Sequence, residues 1–282
     1  MKYGVCIFPT AYSIQPAELA VALEERGFES LWVPEHTHIP ASRKSPWPGG
    51  AELPRMYYDV YDPFIALAAA ASVTKTLKLA TGVTLACQHS PLTLAKTAAT
   101  LDRVSNGRLL LGVGGGWNRE ELENHGRPFD RRWKVLRETV EAMQALWFGD
   151  TAEYHGEFVD FDPVHSAPKP VQLPHPPIHV AGSAPHALKR VARYGDGWLP
   201  ILGRETGNFL DRVRELRDLV RAARRDPDRI EISIYACPAE EGLVRKFVDA
   251  GIARAIFALP SAARDVVLPL LDRYAALARK LG

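Results

Sequence analysis

Arg108-Leu109-Leu110-Leu111-Gly112-Val113-Gly114-Gly115-Gly116-Trp117-Asn118 opens with an apolar run that predicts a buried strand. Three glycines follow, and a residue without Cβ lets the main chain approach a ligand closely. Trp117, Asn118 and the charged Arg119, Glu120 and Glu121 come next. A strand that ends in bare backbone and opens into a polar segment is how parallel α/β proteins build a ligand site. A glycine-rich tight turn with no ligand is the simpler alternative for the same residues.

Working outward from this stretch, strand and helix patterns alternate along the chain. Tyr3 to Phe8 reads as a strand. Pro16 to Arg26 reads as a helix with Leu19, Ala22 and Leu23 on one face, and Gly27 stops it. Ser30 to Pro34 is a second strand, and a polar, proline-rich loop runs from Glu35 to Tyr61. Asp62-Pro63 is a helix start signal, and an alanine-rich helix reaches about Lys75. Leu77 to Leu85 reads as the third strand. A helix from Ser90-Pro91 to Val104 then leads into the fourth, Leu109 to Val113. Trp133, Leu136, Val140, Met143 and Trp147 share helical spacing.

Residues 151–176 break this rhythm. Tyr154 to Phe158 looks like a small hairpin, and six prolines lie between 163 and 177. The alternation then resumes with strands at Ile178–Ala181, Gly197–Ile201, Ile230–Ala236 and Arg254–Ala258, each followed by a helical pattern. Eight such units predict an α/β protein of the (β/α)8 TIM-barrel class. It carries a loop and hairpin inserted between the fourth and fifth strands. An open doubly wound sheet is the competing architecture, with fewer strands as a rule. No linker interrupts the pattern, so residues 1–282 read as a single domain.

Composition narrows the function. Hydrophobic residues make up 46% of the chain and charged residues 24%, an ordinary globular balance. A formal charge of +2 gives no basic footprint for nucleic acid. Three scattered cysteines (Cys6, Cys87, Cys237) form neither a disulfide framework nor a zinc motif. The first residues lack the apolar core of a secretory signal, and no apolar run reaches membrane-span length, so a cytoplasmic location and no membrane partner are expected.

In a TIM barrel the chemistry sits at the carboxyl ends of the strands. Those ends read Phe8-Pro9, Pro34-Glu35-His36, Gly82-Val83-Thr84, Gly114 to Asn118, Ala181-Gly182-Ser183 and Trp198-Leu199-Pro200. Little charge and much backbone and aromatic surface suit a large planar cofactor. Gly182-Ser183-Ala184, just before a helix, has the free N–H groups of a phosphate cradle, although Ser183 would serve equally as a plain cap. Glu35 and His36 are the titratable pair at an early strand end, and histidine exchanges protons near neutral pH.

Taken together, these pieces resemble the bacterial luciferase-like superfamily, and within it the oxidoreductases that use the deazaflavin coenzyme F420. The resemblance runs through Glu35-His36, Ala80-Thr81-Gly82-Val83, Arg103 to Arg108 with Gly116-Trp117, Pro168-Lys169-Pro170, Pro176 to Gly182 and Gly195-Asp196-Gly197-Trp198. It implies a flavin or deazaflavin across the barrel mouth and a cis peptide at Gly82-Val83. It also implies cofactor contacts from Gly82, Val83, Gly114, Gly115, Gly116, Trp117 and Asn118, with the phosphate tail near Gly182, Ser183 and Ala184. Relatives acting on sugar phosphates carry a glutamate where this chain has Trp117, which argues against a sugar-phosphate substrate. The length of the chain argues against light emission.

The expected activity is hydride transfer between coenzyme F420 and a small organic substrate. His36 would move the proton, Glu35 would orient His36, and Trp117 and Trp198 would wall the cofactor. An FMN-dependent monooxygenase is the alternative within the resemblance. A flavin-binding carrier without turnover is another. A metal-dependent hydrolase using His36-x-His38 is a third, weakened by the lack of further ligands at later strand ends. A homodimer is expected, with Trp133 and Trp147 as candidate contact residues. The loop from Glu35 to Tyr61 is expected to shape the substrate pocket.

Overall fold

Residues 1–50 and 52–282 are described by the computed structural model. In chain order the first half comprises β1 (Lys2–Cys6), α1 (Pro16–Glu25), β2 (Ser30–Val33), α2 (Met56–Asp59), α3 (Pro63–Val73), β3 (Lys78–Thr81), α4 (Pro91–Val104), β4 (Leu109–Val113), α5 (Arg119–Asn124) and α6 (Arg132–Phe148). The second half comprises β5 (Thr151–His155), β6 (Asp160–His165), β7 (Ile178–Ala181), α7 (His186–Tyr194), β8 (Gly197–Leu199), α8 (Phe209–Ala222), β9 (Glu231–Cys237), α9 (Glu241–Asp249), β10 (Arg254–Ala258) and α10 (Arg264–Leu281). Eight of the strands close into a barrel in the order β1, β2, β3, β4, β7, β8, β9, β10, and back to β1. All of these pairings are parallel. The TIM-barrel expectation therefore holds. β5 and β6 form the antiparallel hairpin expected between the fourth and fifth barrel strands.

Strand alternation sorts the side chains into two sets. Cys6, Trp32, Ala80, Leu110, Leu199 and Ile256 point inward and pack together inside the barrel. Val5, Leu31, Leu79, Leu111, Val180 and Phe257 point outward under the helices. Burying each such large side chain contributes about 1.5–3 kcal/mol. Helix α3 starts where Asp62 Oδ1 accepts the Ile65 N–H at 2.9 Å, with Pro63 preset for the first turn.

The amino-terminal end of the barrel is sealed by charge. Arg254 is fully buried and donates to Glu29 from Nε and Nη2 (2.8 and 2.7 Å). Its Nη1 donates to Glu231 (2.9 Å) and Ser233 (2.7 Å). Lys2 Nζ holds the other Glu231 oxygen. Burial works against the Glu231 carboxylate, but the charge of Arg254 and the Lys2 bond hold its pKa down at about 2. His179 lies inside this end, edge-on to Trp32, and burial, reinforced by Arg254, lowers its pKa to about 4. No described helix is long and apolar enough to cross a membrane.

The third strand departs from the sequence expectation. It stops at Thr81 rather than Leu85, and the Gly82–Val83 peptide is cis, at the position the resemblance implied. Thr84 then bridges to Val113, and Ala86–Gln88 make one tight 3-10 turn. The apolar run from 77 to 85 is buried throughout most of its length, which mimics a longer strand in sequence. Trp147 and Trp198 are also deeper than expected. Trp147 is a core residue whose Nε1 donates to Ala95 O, so it is not a contact residue for a second copy. Trp198 is fully buried, stacks on Phe209 and donates to Gly182 O, so it supports the β7 exit from behind and cannot itself wall a ligand, contrary to expectation.

Candidate active site

A cavity of about 260 Å³ opens at the carboxyl ends of the barrel strands. Its lining is drawn from seven strand exits, the loop after β2 and Trp133 of α6. Gly82, Val83, Gly114, Gly115, Gly116, Trp117, Gly182 and Ser183 all border it, as do Glu35 and His36. Asn118 and Ala184 do not, although the sequence grouped them with the others.

One wall is main chain. Val83, pushed inward after Gly82, packs so closely on β4 that a Cβ on Gly114 would lie 2.7 Å from its Cγ2. The strand exits are tied at this point: Thr84 N donates to Gly112 O at 2.8 Å, and Gly114 N to Thr84 O at 3.0 Å. Trp133 of α6 backs Gly115 and borders the cavity. Tyr235 of β9 and Leu199 of β8 form the floor.

The opposite wall is aromatic and carries the proton-bearing group. His36, Tyr57, Trp117 and Phe8 gather there, with His36 ring centroids 5.3 Å from Tyr57 and 5.8 Å from Trp117, and Phe8 4.6 Å from Tyr57. Tyr57 belongs to α2, inside the loop expected to shape the pocket. Burial raises the Tyr57 phenol above its ordinary value, so it is a hydrogen-bond donor and not an anion at neutral pH.

Glu35 does not orient His36. Consecutive residues in extended chain face opposite ways, and these two diverge. Glu35 turns toward the third strand exit, where Oε2 accepts the Leu85 N–H at 2.6 Å and Oε1 meets His89 Nε2 at 2.8 Å. Burial alone would lower the His89 pKa, but the bond to Glu35 and its charge raise it above the ordinary histidine value. Glu35 is thus a positioning residue for the segment that carries Val83. The partner of His36 is Glu121 of α5: Nδ1 lies 2.8 Å from Oε2, and the other carboxylate oxygen accepts Thr37 N–H at 3.2 Å. Glu121 is 1% exposed. A carboxylate on Nδ1 selects the tautomer with its proton there and leaves Nε2 to exchange a proton.

Asn118 is the N-cap of α5, its Oδ1 accepting the Glu121 N–H at 3.2 Å. It places the helix that places His36, without touching the cavity. The spacing Asn118-x-x-Glu121 is a capping signature that the sequence carried openly. The same short helix fastens the loop after β2. Glu120 accepts from Ser42, Lys44 and Ser45, Asn124 bonds His38, and His125 bonds Thr37. His36 and His38 are therefore committed to different partners. Among the described residues no group of three or more His, Cys, Asp or Glu side chains is gathered as a metal site. Glu121, Tyr57, Trp133 and Tyr235 were not singled out as site residues from sequence, and for the last three only the fold brings them in.

At the β7 exit, Ser183 Oγ donates to Arg204 O at 3.1 Å and Ala184 N donates to Glu205 Oε2 at 3.0 Å. The amide expected for a phosphate is thus served by a carboxylate of the chain itself.

A family model described as luciferase-like monooxygenase matches residues 10–240. An uncharacterized protein of Mycobacterium tuberculosis is 41% identical over 280 residues, 98% of each chain. An F420-dependent glucose-6-phosphate dehydrogenase of Amycolatopsis mediterranei is 30% identical over 229 residues, 77% of this chain and 63% of its own. The oxygenase component of a flavin-dependent trigonelline monooxygenase of Acinetobacter baylyi is 35% identical over 181 residues, 63% of this chain and 45% of its own.

Proposed function

The chain belongs to the luciferase-like monooxygenase family, and within it we propose an oxidoreductase that moves a hydride between coenzyme F420 and a small organic carbonyl, imine or activated alkene. The observation that carries this reading is a cavity with main chain on one side and His36 on the other, its Nδ1 already committed to Glu121. When bound, the deazaflavin supplies two-electron chemistry; the protein supplies position and the proton.

The residues fit a flat tricyclic ring. Gly82-Val83 and Gly114 to Trp117 would face it, and Gly182-Ser183 would meet its tail. Bulk at Gly114 is excluded by Val83 itself, so the slot stays narrow and flat. The aromatic residues Phe8, Tyr57 and Trp117 exclude water and hold an uncharged substrate against that slot. His36 Nε2 delivers the proton to a substrate oxygen or nitrogen in reduction and takes it back in oxidation. Glu121 holds the imidazole in the tautomer that can do this.

The test is equilibrium binding of coenzyme F420 and of FMN to the purified protein, followed by anaerobic turnover with small ketones and alcohols. F420 binding with turnover is expected. Tight FMN binding without F420 binding, with oxygen consumption on reduction, would replace this reading by a flavin monooxygenase, in line with the trigonelline relative.

A further inference from the structure

Strand β9 is irregular at its exit. Ile234 faces Ala255 and Cys237 faces Phe257 of β10, so Tyr235 and Ala236 share the single place opposite Ile256. This is a β-bulge. Ala236 takes it up with a φ of +51°, a left-handed conformation disfavoured for a residue with a Cβ. Bulges re-aim side chains beside active sites. Here the effect shows in the alternation. Ile232 and Ile234 point outward under the helices, and so does Cys237 after the extra residue. Tyr235 is left as the last side chain of β9 to point inward.

From there Tyr235 reaches across the barrel. In ring order β9 and β3 stand four strands apart in either direction. Yet a Cβ on Gly82, just past β3, would lie 2.5 Å from Tyr235 Cε2 and 3.3 Å from its hydroxyl oxygen. The ring packs below on the interior cluster but stays partly exposed, and its open surface is the one that floors the cavity. The hydroxyls of Tyr3 and Tyr194 are buried without a partner; that of Tyr235 is not among the buried ones, and no oxygen or nitrogen of the described residues bonds it. Beside it stands the Cys6 thiol, a weak partner. Burial, reinforced by Cys6, pushes the phenol well above its ordinary value, so it keeps its proton and remains a donor. The floor around it is apolar, with Leu199 at the surface and Ala80 and Leu110 beneath. A carbonyl oxygen lowered onto that floor would lose its water and find one hydroxyl to replace it.

Resting on the cofactor reading above, we propose that the Tyr235 hydroxyl donates a hydrogen bond to a carbonyl oxygen of the redox ring and so favours its reduced form, with the β9 bulge setting that aim. A ring lying against Gly82 and Val83 meets the hydroxyl where it stands. FMN and F420 share the same two-carbonyl edge, so the role holds for either. Reduction adds electron density to that edge, and a donor already aimed at it binds the reduced ring more strongly than the oxidised one.

The experiment measures the midpoint potential of the bound cofactor, using the full-length protein, whichever of F420 and FMN it binds, and reference dyes at equilibrium. The affinity of the oxidised cofactor is titrated beside it. Tyr235→Phe keeps the ring over Gly82 and removes the donor. It should weaken the reduced cofactor roughly tenfold more than the oxidised one, which for a two-electron couple lowers the midpoint by about 30 mV. Cys6→Ser places a stronger acceptor beside the phenol and should produce part of the same shift. An unchanged midpoint in Tyr235→Phe, or equal weakening of both redox forms, would overturn the proposal while leaving the ring site standing. Failure of both cofactors to bind the wild type would remove the cofactor reading, and this inference with it.

Discussion

Replacing Arg254 with methionine probes the charge seal at the amino-terminal end of the barrel. Arg254 is fully buried and makes two hydrogen bonds to Glu29, one to Glu231 and one to Ser233. Removing it strands two carboxylates, and breaking a buried pair this way costs about 3–5 kcal/mol. For a chain of this size that corresponds to a melting point lower by roughly 6–15 °C. Neutralising the stranded groups with Glu29→Gln and Glu231→Gln in the same background should recover much of the loss. The pH dependence adds a second readout. In the wild type, the His179 pKa is lowered to about 4, so the unfolded chain binds the extra proton and stability is lost as pH falls from about 6.5 toward 4. Without Arg254, Glu231 still faces His179 Nε2 at 3.6 Å, and the histidine can take up a proton in the folded state. The deficit of the variant should therefore shrink as pH drops from about 8 to 6. Thermal and urea unfolding across that range decide the matter. A loss under about 1 kcal/mol, or no recovery in the triple variant, refutes the account of the seal.

Glu121→Gln should lower turnover about tenfold at unchanged cofactor affinity, because a charge-assisted bond on His36 Nδ1 becomes a neutral one. Combined with His36→Asn it should cost little more, and a fully additive double variant would separate the two residues. Gly114→Ala should weaken ring binding by about tenfold, since its Cβ would sit 2.7 Å from Val83 Cγ2; titration with wild-type affinity would show that the slot is softer than drawn. Glu24→Gln should cost about 1 kcal/mol, because Glu24 Oε1 accepts from Lys75 N, Leu77 N and Thr76 Oγ1 at 2.8–2.9 Å in a partly exposed setting. Burial opposes the Glu24 charge, but those donors hold its pKa at about 2, so its contribution is present above pH 4.5 and fades as pH falls toward 2; acid titration of the melting point should show that step in the wild type alone.

The barrel was legible because its signals are local. The apolar run at Leu109–Val113, the Ser90-Pro91 start before α4 and the breaks at Asn106-Gly107 each fix an element by its own residues. Val83 shows the limit: it belongs to an apolar run, but its place at the cavity is set by packing on Gly112 and Gly114, some thirty positions away. The site was legible as strand exits and illegible as partnerships. Sequence offered Glu35 beside His36, yet strand geometry sends adjacent side chains apart, and the true partner lies 85 residues on. Asn118 looked like a cofactor ligand because it follows the glycines; its cap role needed the capping pattern to be weighed against that proximity. Tyr235 has no local mark at all, since it gains its meaning only from the closed ring of strands.

Helix α5 is six residues long, yet it grips the segment from His36 to Ser45 through Glu120, Glu121, Asn124 and His125. The His36 imidazole and the near part of the covering loop thus share one anchor. The far part, from Pro46 onward, meets the cavity chiefly through Tyr57. Variation there would leave the bond from Glu121 to His36 in place and change chiefly the aromatic face that Tyr57 packs 5.3 Å from that ring. Such a division lets a lineage swap specificities by trading one short insert, and it marks that insert as the place to graft when new substrates are sought.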